Sequence, residues 1–255
     1  MAVTLKNARE LERMREAGHV VSVVHQRVEE AIAPGITTQD LDDIARDTFA
    51  EMGATSLFLG HLGFTGRICA SINEEIVHGI PGKRVLRDGD IISVDVGARV
   101  EGYCGDSAWT YGVGSISDEA RRLLRDTEAS LYEGIAQARA GNRLGAIGHA
   151  VEQFAVERNY GLVREYGGHG IGRNMWEEPH VPNHGGPDSG VLLRPGMTLA
   201  IEPMINIGGD ETEVLADKWT VVTRDRSLSA HFEHTIVITQ VEPEILTKRL
   251  ASVVH

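Results

Sequence analysis

An α+β fold with a doubled plan is predicted for this chain of 255 residues. Helix-period segments precede strand-period segments, that order occurs twice, and a short motif returns about 107 residues later. After Asn7, the residues Leu11, Met14, Gly18, Val21, Val28 and Ile32 keep helical spacing until Pro34-Gly35 stops it. Thr37, with Asp40 three positions on, resembles a capping box and opens a second helix ending near Gly53. Strand-like runs follow around Ile68 (R-I-C-A-S-I), around Val94 (D-I-I-S-V-D-V) and after Asp106 (A-W-T-Y-G-V). Helical periodicity resumes after Ser117 and runs through Leu124, Leu131 and Ile135 to Gly141, then again between about Leu144 and Tyr160. The remainder is strand-rich, with T-L-A-I-E-P, W-T-V-V-T and H-T-I-V-I-T.

The doubling is visible in the letters. Residues 86–95 read L-R-D-G-D-I-I-S-V-D and residues 193–202 read L-R-P-G-M-T-L-A-I-E, each a Leu-Arg-x-Gly, an apolar run and a carboxylate, Asp95 or Glu202. The glycines that close the first helix of each half, Gly35 and Gly141, repeat at an offset of 106. The expectation is one catalytic domain over residues 1–255 with an internal duplication, the halves being about 1–112 and 113–255.

Composition excludes several classes. A hydrophobic content of 42% and a charged content of 24% suit a globular protein. The net charge of −12 argues against a DNA or RNA groove, where Lys and Arg neutralise phosphates. No apolar run approaches the ~20 residues a membrane helix needs, and the N-terminus lacks a signal-like apolar segment. Cys69 and Cys104 form no C-x-x-C pair, so a cytoplasmic location is expected.

Each half holds a second acid at the head of an apolar, strand-like run, Asp106 in Y-C-G-D-S and Glu233 in H-F-E-H-T. Four carboxylates converging at strand ends repel one another and stay protonated unless cations neutralise them; two divalent ions balance the charge. His169, in G-G-H-G-I-G, lies outside the repeated pattern and offers one nitrogen ligand. Singly, these residues are ordinary: a strand-end acid caps or turns, and a glycine-flanked histidine suits any loop. G-H-G-I-G also lacks the spacing of a dinucleotide-binding fingerprint. The ordered set Asp, Asp, His, Glu, Glu carries the reading.

S-V-D-V-G, G-Y-C-G-D-S, G-G-H-G-I-G, L-A-I-E-P-M and F-E-H-T-I-V together resemble the five ligand motifs of the methionine aminopeptidases, in the short type I form. The resemblance covers nearly the whole chain. It implies the pita-bread fold, two pseudo-symmetric halves of helices packed on a curved antiparallel sheet. It implies a dinuclear site of two divalent ions, Co, Mn, Fe or Zn, held by Asp95, Asp106, His169, Glu202 and Glu233, with Asp106 and Glu233 bridging. Glu202 would also carry the proton from the attacking water to the leaving amine. His78, in N-E-E-I-V-H-G-I-P, would contact substrate near the scissile amide. Phe58, His61, Phe64, Cys69, Met175 and Trp219 would build the methionine pocket, where a thioether favours polarizable, aromatic walls. The implied substrates are N-terminal methionine peptides and nascent chains with a small second residue. A monomer is implied, with transient ribosome association through a patch such as Lys83, Arg84 and Arg87.

Two positions depart from the pattern. Cys104 stands where histidine is common, without consequence for ligation. Trp176 stands where the family carries a histidine that hydrogen-bonds the substrate carbonyl, and an indole N–H donates without acting as an acid. A slower enzyme is expected. The alternatives are a non-catalytic or weakly active paralogue acting as a binding protein, and a proline-directed peptidase of the same fold. On the sequence alone, Trp176→His is expected to raise turnover of a Met-Ala-Ser peptide, read as kcat.

Overall fold

A computed structural model describes residues 3–250. In the first half, helices α1 (Ala8–Ala31) and α2 (Thr38–Glu51) precede strands β1 (Thr55–Ser56), β2 (Cys69–Ile72), β3 (Glu75–Val77), β4 (Ile91–Val100) and β5 (Tyr103–Gly112). In the second, helices α3 (Asp118–Gln137) and α4 (Gly145–Glu157) precede β6 (Gly161–Leu162), β7 (Gly167–Gly170), β8 (Glu177–Pro182), β9 (Thr198–Ile201) and β10 (Met204–Asn206). Strands β11 (Thr212–Val214), β12 (Val221–Thr223), β13 (Ser229–His231), β14 (His234–Val237) and β15 (Glu244–Ile245) complete it. No helix of the described residues is long and apolar enough to cross a membrane.

Local chemistry sets the helix starts. The Asn7 carboxamide accepts from the N–H groups of Arg9 and Glu10, and Glu10 returns a bond to the Asn7 N–H. Thr37 and Asp40 make the same reciprocal cap on α2. The buried stripe of α1, with Met14, Ala17, Val21, Val24 and Val28, follows the spacing read from the sequence. Helices α3 and α4 stop at Gln137 and Glu157, a few residues before periodicity alone would end them.

Strands β4 and β5 form one hairpin, in continuous register from Ile91 opposite Gly112 to Val100 opposite Tyr103. Asp95 is therefore in the interior of β4, and Asp106 lies three residues inside β5 instead of at its head. The expectation of strand-end acids holds only for Glu202 and Glu233, which flank β9 and β14. Strands β1 and β2 share the other edge of β4. The second half supplies a five-stranded antiparallel sheet in the order β15-β14-β9-β7-β8, and two three-stranded sheets join β13-β10-β6 and β11-β12-β3.

Strand β7 is the glycine-rich segment G-G-H-G, which sequence patterning gave no reason to call a strand. It is squeezed between β8 and β9. A Cβ at Gly168 would run into the carbonyl of Ala200, and one at Gly170 into that of Glu178. Glycine here permits close backbone approach, which fixes the depth of His169.

The halves also share their joints. The Gly35 N–H bonds to the Leu86 carbonyl at 2.9 Å and the Leu86 N–H to that of Ile36 at 2.8 Å. The Gly141 N–H bonds to Leu193 at 3.1 Å and the Leu193 N–H to Asn142 at 2.8 Å. Gly35 and Gly141 both lie in the left-handed region, at φ 103° and 95°. From these paired joints we infer one plan used twice, divided near residue 112.

Gly168→Ala is expected to cost about 1–3 kcal/mol, as overpacking does, and to lower metal affinity by displacing His169. Gly186→Ala, which meets nothing within 4 Å, should stay within about 0.5 kcal/mol of the parent. Denaturant titration of both variants checks the contrast.

Candidate active site

The two halves meet over one cavity of about 370 Å³, and every site residue singled out from the sequence lines it. The acids come from four strands or their ends. In register, Cys69 of β2 faces Asp95, and Asp95 faces Ala108 of β5. The Ala108 carbonyl then accepts the N–H of Glu233 at 2.8 Å. Ser107 donates its hydroxyl to the Glu233 carbonyl at 2.6 Å. Thr235 accepts the Asp106 N–H at 3.0 Å and donates to the Asp106 carbonyl at 2.8 Å. These bonds clamp β5 of one half to the chain around β14 of the other, so Asp95, Asp106 and Glu233 hold fixed positions. Glu202 joins them from the end of β9, where Asn183 donates to its backbone carbonyl at 2.9 Å.

His169 points the right nitrogen inward. Its Nδ1 lies 2.9 Å from the Gly170 carbonyl, which can only accept, so Nδ1 carries the proton and Nε2 keeps its lone pair. That lone pair faces Asp106 Oδ2 and Glu202 Oε1, each at 3.8 Å. Desolvation depresses the His169 pKa to about 4, so the ring is neutral near pH 7. The inward lone pair thus faces two carboxyl groups, with no Lys or Arg among the residues that line the cavity.

The acids show the same frustration. Asp95 Oδ1, Asp106 Oδ1 and Glu233 Oε1 are buried without a hydrogen-bond partner among the described residues. Desolvation lifts Asp95 to about 7, partly offset by its hydrogen bond with Asp106. Desolvation and the Asp95 charge raise Glu202 to about 8. Asp106 and Glu233 are pushed well above the carboxylate range by desolvation and by their acidic neighbours. Ligand atoms of Asp106, His169 and Glu233 lie within 4.8 Å of one another. Unpartnered oxygens and an inward lone pair are what a hard divalent cation would satisfy, so the residues fit a metal centre.

Above this floor stands an apolar pocket. Phe58, Phe64, Cys69 and Met175 pack as one buried cluster, with Trp219 against it. The Phe64 and Trp219 rings meet edge to face at 5.0 Å. Desolvation and the nearby Asp95 hold the Cys69 thiol well above its usual range, so it is a soft wall and not a thiolate ligand. His78 closes one side, its ring 5.9 Å from Tyr166 and 6.3 Å from Trp219. His78 has φ 62°, a costly conformation for a side chain of its size and one found often at functional sites. Desolvation lowers its pKa, favouring the neutral ring.

Met175 and Trp176 ride on a tight loop. The Cys104 N–H bonds to the Gly172 carbonyl at 2.8 Å, and the buried Lys6 ammonium meets Glu177 Oε2 at 2.7 Å. Glu177 Oε1 accepts from the N–H groups of Arg173 and Asn174 at 2.9 and 3.1 Å. The Cys104 thiol also donates to the Arg173 carbonyl at 3.6 Å, so this residue adjoins the segment carrying Trp176.

Comparison with known proteins agrees with this geometry. Residues 12–240 match the model of metallopeptidase family M24. The chain is 52% identical to methionine aminopeptidase 1 of Bacillus subtilis (strain 168), over 96% of this chain and 99% of that one. This chain belongs to the methionine aminopeptidases of family M24. Its structure superposes on the methionine aminopeptidase of Rickettsia prowazekii with a TM-score of 0.96 at 37% identity, covering 97% of this chain and 100% of the other. The Thermotoga maritima methionine aminopeptidase gives the same TM-score at 42% identity and the same coverage. The pita-bread fold and a dependence on divalent metal follow from membership of this family.

Sequence reasoning missed several residues at this methionine aminopeptidase site. His231 is buried, with Nε2 3.8 Å from Glu202 Oε2 and no hydrogen-bond partner among the described residues. Its spacing of two from Glu233 was the available signal. His180 faces His169 across the β7–β8 pair and lines the cavity, as do Glu165 and Tyr166. Separation from the acidic motifs hid Glu165 and Tyr166.

The raised carboxylate pKa values set a pH dependence. The folded, cation-free protein holds protons that the unfolded chain releases at lower pH. This stabilisation is complete below the usual carboxylate range and is lost as pH rises through about 7 for Asp95 and about 8 for Glu202. Histidines depressed in the fold, such as His169 and His231, act only below the ordinary imidazole range of about 6.5. The Tm of cation-free protein should therefore fall between about pH 6.5 and 8, and saturating Mn(II) should remove the fall. Scanning calorimetry with and without the ion measures both.

Proposed function

We propose that this protein removes the N-terminal methionine from peptides and nascent chains whose second residue is small. The reading rests above all on one observation: the His169 lone pair and four desolvated carboxylates converge beneath a sulfur- and aromatic-lined pocket. Asp95, Asp106, His169, Glu202 and Glu233 would hold two divalent ions, whose charge balances the four acids. Bound there, such ions lower the pKa of water and polarise a peptide carbonyl.

The chain's own groups do the rest. Phe58, Phe64, Cys69, Met175 and Trp219 receive the thioether, which orients the first residue with its amide over the acids. His78, neutral and fixed by its backbone, offers a ring N–H to the substrate near the scissile bond. Glu202 accepts the proton of the attacking water on a carboxylate oxygen and delivers it to the departing amine. Small second residues are selected sterically at the rim. Lys83, Arg84 and Arg87 would be the contacts to a ribosome, although Arg84 already pairs with Glu75 at 2.6 Å.

Protein loaded with Mn, Fe, Co or Zn should release methionine from Met-Ala-Ser and leave X-Pro peptides intact; chelation should abolish turnover. Tight metal without turnover would instead indicate a binding scaffold. Glu202→Gln should lower kcat by about 10²–10⁴-fold, the range of a lost general acid–base, with the fold retained by circular dichroism.

A further inference from the structure

His61 has a place in the cavity that the proposed reaction leaves unused. Sequence position assigns it to the methionine wall, yet its ring packs on Trp176, with centroids 4.4 Å apart and planes inclined by 42°. Among the described residues no group hydrogen-bonds its imidazole. The Trp176 indole also neighbours the inward-facing His169, whose ring centroid is 6.2 Å away. Trp176 is 44% exposed, a broad apolar plate at the mouth of an acidic site.

The turn that carries His61 is built at a cost. Its N–H bonds to the Phe58 carbonyl at 2.9 Å, and its own carbonyl accepts the Phe64 N–H at 2.8 Å. The next residue, Leu62, is held at φ 45° with its side chain 83% exposed. A left-handed leucine with little packed against it gains nothing for the core. The turn is instead committed to aiming its neighbours, Phe64 into the apolar pocket and His61 onto the indole.

We propose that Trp176 and His61 form one substrate-contacting unit: the indole seats the imidazole, whose open edge donates a hydrogen bond to the carbonyl of the peptide bond being cleaved. This rests on the methionine-removal reading above. The unit starts beside a metal-ligand histidine and extends outward along the rim, where the peptide group must lie if the thioether occupies the apolar pocket. In either protonation state an imidazole has at least one N–H to give, and a thioether has little use for it. Trp176 is then a positioning residue and not a defect in the wall.

Steady-state kinetics of the Mn-loaded protein on Met-Ala-Ser tests this. His61→Phe keeps a ring on the indole and removes the donor. It should lower kcat about 10²-fold, as loss of one oxyanion donor does, at unchanged metal content. KM should stay within about threefold, and His61→Gln, which restores an N–H, should recover part of the loss. Trp176→Ala should also lower kcat, and the double variant should be no worse than the poorer single one. Trp176→His should lower turnover too, reversing the expectation from sequence, because a smaller ring replaces the seat. A rise in KM alone for His61→Phe, multiplicative losses in the double variant, or a gain from Trp176→His would overturn the proposal. If the parent protein releases no methionine with any metal, the reaction reading fails first. The unit is then tested by the ring 15N shifts of His61 on adding Met-Ala dipeptide to cation-free protein. A shift that Trp176→Ala abolishes supports it, and no shift overturns it.

Discussion

Four carboxyl groups and an imidazole lone pair are gathered in one buried cavity that no Lys or Arg side chain lines. Left to itself such a cluster would open to water or keep its protons, because desolvated like charges repel strongly. The hairpin of β4 and β5 prevents opening by fixing Asp95 and Asp106 in a ten-residue ladder. Bonds from Ser107, Ala108 and Thr235 carry that rigidity across to Glu233. The rest of the site is arranged around this enforced repulsion, and a divalent cation is the species that relieves it.

The same economy explains the glycines around His169. A neutral ligand nitrogen has to be delivered to the acids with its other nitrogen already occupied. Strand β7 does this by lying too close to β8 and β9 for any side chain at Gly168 or Gly170. The Gly170 carbonyl then fixes the tautomer. Depth and tautomer are thus set by one short strand. On the outer side, Lys6, Glu177 and Cys104 hold the loop of Met175 and Trp176 against the pocket, so wall and floor keep a constant spacing.

Much of this was legible in the letters. The helix starts at Asn7 and Thr37 were readable because caps are local chemistry between residues three apart. The five acidic and histidine positions were readable as an ordered set, and the repeated Leu-Arg-x-Gly motif marked joints that bond alike in both halves. Strand β7 was not legible, since glycine carries no strand signal and its need arises only from the close approach of β8 and β9. Asp95 and Asp106 were expected at strand ends because apolar runs were read as the strand limits, whereas the ladder of β4 and β5 and its burial continue on both sides of each acid. His231 was missed although it stands two residues before Glu233; the pairing of β10 with β13 sets it beside Glu202.

The sequence by itself determined the chemistry available, namely which hard ligands, soft walls and caps exist and in what order, because those are properties of single residues and short spacings. Only the tertiary structure decided which nitrogen of His169 faces the acids and that their oxygens lack partners. It alone brought His61 onto the face of Trp176. Those outcomes depend on strand pairing and loop packing that bring together residues as far apart as His61 and Trp176, a geometry no local pattern encodes.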